Sequence, residues 1–161
     1  MMNFLRFLWL IFFTKSTPIV VPPTPPAPVE REPDPVLVSE QEYKFDTPQN
    51  ARHSIRVICD EEGLTWKEKN DLTATIQAES GFNNFATRKN YAKDGVTVWS
   101  TDWGICQIND YWHVEKEKSF PSAEYIVANP EKAVRWTARM FKAGKQKLWV
   151  AYSSGAYERY L

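Results

Sequence analysis

Glu79 lies in the run Ile76-Gln77-Ala78-Glu79-Ser80-Gly81-Phe82-Asn83, and Asp102 in Ser100-Thr101-Asp102-Trp103-Gly104-Ile105-Cys106-Gln107-Ile108-Asn109. The first carboxyl closes a stretch of helical period, whereas the second sits among alternating residues rich in hydroxyl and aromatic groups. Two acids in unlike surroundings can divide proton donation from charge stabilisation, the division that cleavage of a glycosidic bond requires. Their ordinary alternatives are a glutamate reaching water from a fraying helix end and an aspartate holding a turn. Thiol metal chemistry is not expected. His53 stands six residues before Cys59 and His113 seven after Cys106, and neither cysteine has a second ligand at metal-binding spacing. No cofactor is implied.

The elements that must carry these acids can be read from caps and period. Thr47-Pro48 supplies an N-cap and a first-turn proline, and Ala51, Ile55 and Ile58 recur at helical spacing until Gly63. Thr65-Trp66-Lys67-Glu68 is a capping box, so a second helix runs from Thr65 to Gly81. Leu72, Ile76 and Glu79 are spaced i, i+4, i+7, which puts the carboxyl on the apolar face. Burial there disfavours the charged form, so a raised pKa and a role as general acid are expected.

Beyond Gly81 the period is lost. Residues 83–93 read as a polar loop, Asp94-Gly95 as a turn, and residues 96–103 as a strand of an antiparallel hairpin. Val98, Ser100 and Asp102 would share one face of it, with Trp99, Thr101 and Trp103 on the other. Gly104 allows a tight bend before a short apolar strand at 105–108. Further on, residues 121–128 suit a short helix, and Asn129-Pro130 opens a longer one with the stripe Ala133, Thr137, Met140, Phe141 and Gly144. Residues 148–152 read as a last helix, stopped by Ser153-Ser154-Gly155. The class is therefore α+β, mostly helical, with a small antiparallel hairpin.

The domain occupies residues 45–161 of the 161-residue chain. Eight of the eleven prolines fall between Pro18 and Pro35, so residues 17–44 read as a disordered proline-rich linker. Residues 1–16 combine a cationic start with the seven apolar residues from Phe7 to Phe13, as in a signal peptide or signal anchor. That run is short of the roughly 20 residues a bilayer span needs, and no clean small-residue cleavage site follows it. Export to the cell envelope is expected, with cleavage and membrane attachment both open.

From Phe45 onward 16 Lys and Arg face 15 Asp and Glu, which gives a nucleic-acid partner no support. Residues 126–161 are more basic, with seven cations against Glu131 and Glu158. That excess fits a solvated helix face or an anionic wall polymer. Cys59 and Cys106 either pair in an oxidising compartment or sit apart as small buried groups.

Together these motifs resemble the lysozyme-like superfamily over residues 51–155. Glu79-Ser80-x-Phe82-Asn83 is similar to the general-acid segment of c-type lysozymes, and residues 100–109 are similar to their catalytic hairpin, with Asp102 as second carboxylate. Asn129-Pro130 and Ala151-Tyr152-Ser153-Ser154-Gly155 resemble motifs of soluble lytic transglycosylases instead. The c-type disulfide framework is missing, and the loop before Asp102 is longer.

The resemblance implies a monomeric enzyme acting on peptidoglycan glycan strands. It would cut the β-1,4 bond between N-acetylmuramic acid and N-acetylglucosamine. Glu79 would be the general acid, and Asp102 nucleophile or electrostatic partner in a hydrolase. In a transglycosylase Glu79 would act alone, Tyr152 would hydrogen-bond it, and 1,6-anhydro ends would form. Ser80, Trp103, Gln107, Asn109 and Tyr152 are the expected substrate-binding residues, while Trp99, Trp112, Trp136 and Trp149 are assigned to packing. An inactive wall-binding module is a weaker alternative.

Overall fold

The computed structural model describes residues 42–161. The expected signal segment and all but the last three residues of the expected linker lie outside them. Helix α1, Pro48–Glu61, starts as its caps require: Thr47 is extended and its hydroxyl accepts the Asn50 N–H at 3.2 Å. It buries Ala51, Ser54, Ile55, Ile58 and Cys59. Helix α2, Trp66–Ser80, opens on the full capping box, with the Thr65 N–H donating to Glu68 Oε2 at 2.8 Å. It stops at Gly81, whose φ of 64° is left-handed and whose N–H closes on Gln77 O at 2.9 Å.

A three-stranded antiparallel sheet follows, in the order β1 (Thr87–Tyr91), β2 (Val98–Trp103), β3 (Ile108–Asn109). Strand β1 falls within the stretch expected to be loop. Its sequence Thr-Arg-Lys-Asn-Tyr is exposed at four of five positions, so no apolar alternation marks it. The strand expected at 105–108 is also revised. Gly104 and Gln107 take positive φ values of 71° and 50°, so residues 104–107 form a tight turn, and β3 keeps only Ile108 of that stretch and adds Asn109. Ile105 and Cys106 are nonetheless fully buried inside that turn.

The pairing Asn90↔Ser100 and Tyr91↔Val98 leaves Trp99 with no residue opposite it. Trp99 is thus the extra residue of a β-bulge. Asp110 then caps a π-helical segment, Tyr111–Lys116, which the periodicity of the sequence does not reveal. Helix α3, Ala123–Ala128, begins on the Ser122 hydroxyl, and α4, Pro130–Lys142, begins on its proline alone. The Asn129 side chain, expected as its cap, turns back to Tyr125 O at 2.9 Å. A single 3-10 turn, Gln146–Leu148, leads into the short helix α5, Val150–Ser153.

The described residues are thus a mixed fold of helices with one small antiparallel sheet. Ile55, Leu72, Ile76, Ile105, Ile108, Ile126 and Phe141 meet in one core between helices and sheet. Each such side chain contributes about 1.5–3 kcal/mol on burial. Cys59 and Cys106 are buried, free thiols, and burial pushes both up to about 12. Two residues expected in the linker belong to the folded unit. Ser54 Oγ bonds both the N–H and the carbonyl of Lys44 at 2.9 Å, and the Tyr43 hydroxyl donates to Glu61 at 2.6 Å while accepting from Arg135 at 2.9 Å.

Candidate active site

Glu79 is the penultimate residue of α2 and is half-buried. Its Oε1 accepts the Ala151 N–H at 2.8 Å, one of the amides left without a helical partner at the start of α5. Burial raises its pKa above the ordinary carboxylate value, the Ala151 N–H works against that rise, the negative charge of Asp102 adds to it, and Arg88 opposes it. Desolvation wins. With Oε1 occupied by an amide donor, Oε2 is the oxygen that can carry a proton towards a ligand.

Ser80 fixes this helix end against the sheet. Its hydroxyl donates to Ile105 O at 2.7 Å, joining the last turn of α2 to the tight turn between β2 and β3. Strand pairing does the same for the second acid. Asp102 and Asn109 are partners across β2 and β3, and the Asn109 amide donates to Asp102 Oδ1 at 2.7 Å. That amide nitrogen also lies 2.9 Å from Ser100 Oγ, which accepts from Asn90 at 3.2 Å. A chain of hydrogen bonds from neutral side chains therefore holds the Asp102 carboxyl in place.

Glu79 and Asp102 line one cleft of about 410 Å³. Gln107 and Asn109 line it too, as expected, although the Gln107 amide is committed to Ala86 O at 3.1 Å and Gly104 O at 2.9 Å. Gln107 therefore shapes the cleft by holding the turn. The other three expected binding residues are not in the lining. Ser80 is engaged as described. Trp103 packs on the core and donates its indole N–H to Asp110 at 3.0 Å. Tyr152 stacks on Tyr157, with ring centroids 4.6 Å apart, and meets the edge of Phe141. The contact expected from Tyr152 to Glu79 is replaced by the backbone N–H of the residue before it.

The four tryptophans assigned to packing all line the cleft, and Trp136 and Trp149 pack on the core as well. Trp99 is turned by its bulge, a known way of re-aiming a side chain, and it meets Tyr111 edge-on at 5.6 Å. Trp112 projects from the π-helical segment and is 51% exposed. Trp136 and Trp149 are inner residues. Trp149 is 6% exposed, donates its indole N–H to Cys106 O at 2.8 Å, and with Ile108 and Val150 gives the cleft an apolar wall. His113, paired with Glu117 at 2.8 Å and packed edge-on against Trp136, completes the far side.

Arg88 and Asn90 enter from β1. Their spacing of two was a usable signal, but only once β1 is known to be a strand. Among the described residues no group of three or more His, Cys, Asp and Glu side chains is gathered as a metal site, and no helix is long and apolar enough to cross a membrane. No family model, curated protein or solved structure matches the chain.

Proposed function

We propose that this protein is a peptidoglycan-cleaving glycosidase that hydrolyses the β-1,4 bond between N-acetylmuramic acid and N-acetylglucosamine. The observation that carries the reading is a half-buried Glu79 with raised pKa sharing one cleft with Asp102. Glu79, protonated on Oε2, donates to the bridging oxygen as the bond breaks. Positive charge then develops on the sugar ring, and the Asp102 carboxylate stabilises or captures it. Water, activated by the now ionised Glu79, completes the reaction, and the proton returns to the same oxygen.

The rest of the cleft suits an N-acetylated glycan. Trp99 and Trp112 offer apolar ring faces for sugars, while Asn90 offers an amide and Asn109 orients Asp102. Hydrolysis is favoured over transglycosylation by two features: Asp102 lines the cleft with Glu79, and Tyr152 does not. One chain supplies both acids, so the reaction needs no residue from a second copy. The N-terminal segment and linker would deliver the domain to the cell envelope and set it against its polymer.

Mass analysis of purified sacculi digested by the protein tests the reading. Muropeptides with reducing muramic acid ends are expected. Anhydro ends would assign transglycosylation, and no released fragments would overturn the proposal.

A further inference from the structure

Arg88 is unused by the mechanism above. It stands on β1 directly opposite Asp102 in the antiparallel register, so both side chains leave the same face of the sheet. It is exposed, lines the cleft, and makes no ion pair or side-chain hydrogen bond among the described residues. Its cross-strand neighbour would be the natural partner, but the Asp102 carboxylate is held by the Asn109 amide instead. Among the described residues the cleft lining holds three carboxyl groups, from Glu79, Asp102 and Glu117, and Arg88 is its one Lys or Arg. A guanidinium offers five donors in a planar fork suited to a carboxylate, and here that fork is open to whatever fills the cleft.

Resting on the glycan-cleaving reading, we infer that Arg88 binds a carboxylate carried by the muramyl side chain of the substrate, and so selects the acidic wall polymer over neutral chitin-type chains. An N-acetylglucosamine polymer has no anion to offer this residue. Muramic acid adds a lactyl ether whose carboxyl is either free or extended by a peptide with its own carboxylates. The same fork would take either source.

Three substrates separate the possibilities: chitooligosaccharides, peptide-free muramyl glycan oligomers, and intact sacculi. Arg88→Gln should lower kcat/KM on a carboxylate-bearing substrate about 10- to 100-fold more than on chitooligosaccharides, mainly through KM. Arg88→Lys should recover part of the loss, since it keeps charge without the fork. A selective loss confined to the peptide-free oligomers assigns the free lactyl carboxyl, one confined to sacculi assigns the peptide carboxylates, and one on both shows that the fork takes either source.

Salt provides a second reading on the unmodified enzyme. KM for the recognised acidic substrate should rise more steeply with ionic strength than KM for the neutral one. Equal losses on all three substrates, or none, would overturn the inference and leave Arg88 as a counter-charge to Asp102 and Glu79. An unmodified protein that cleaves none of the three would overturn the glycan-cleaving reading itself.

Discussion

Desolvation of Glu79 outweighs the single amide donor it has been given and raises its pKa. The same imbalance makes it a stability liability at neutral pH. Its folded pKa lies above its unfolded one, so the folded state binds the extra proton between the two values, and stability falls as pH rises through that window. Glu79→Gln keeps an oxygen for the Ala151 N–H and has no charge to desolvate. Thermal melts should therefore find the variant more stable than the parent at pH 7, with the difference vanishing near pH 4. An equal or lower melting temperature at pH 7 would mean that Glu79 is not held in a desolvated site. Asp102 has a side-chain donor, the Asn109 amide, where Glu79 has a backbone one. The two acids thus differ by design of their local contacts.

At the scale of elements, the site depends on two helix ends and one sheet. The capping box at Thr65 fixes where α2 begins, and hence where Glu79 falls fourteen residues later. Thr65→Ala should cost about 1 kcal/mol, read as a shift in the urea midpoint with unchanged slope. Both ends of α2 and the position of Glu79 were legible in the sequence, because capping chemistry is local and Leu72, Ile76 and Glu79 recur at helical spacing. The sheet was half legible. Strand β2 announces itself by alternation, whereas β1 is polar at nearly every position and is defined only by its pairing with β2. The exposed tryptophans, Trp99 and Trp112, were misassigned to packing, Trp99 for a related reason. Whether Trp99 faces core or cleft depends on a bulge, and a bulge is a property of two strands in register, invisible in either alone. Trp149 packs and lines the cleft at once, so the choice between those roles was false for it.

At the scale of the whole molecule, the described unit is fastened at its N-terminal edge by charge. Arg135 on α4 reaches Glu61, Glu62 and Glu131, and its guanidinium also donates to the Tyr43 hydroxyl. Tyr43 and Arg135 hold the Glu61 carboxyl below its ordinary range, and Arg139 does so for Glu62. These depressed groups stabilise above their unfolded pKa and lose that contribution as pH falls, the opposite sign to Glu79. A domain beginning at Phe45 lacks Tyr43 and the Lys44 pairing with Ser54. It should be less stable than one beginning at Glu42 by about 1–2 kcal/mol, as denaturant unfolding would register. Equal stability would return both residues to the linker.

All three scales converge on one proton, carried by Glu79 into a cleft that also holds Asp102. Rates of muropeptide release from purified sacculi, compared between the full-length protein and its Glu79→Gln variant, test this most directly. The account predicts a loss of about 10²–10⁴-fold with the fold intact by circular dichroism. A folded Glu79→Gln variant that releases muropeptides at the parent rate would contradict it.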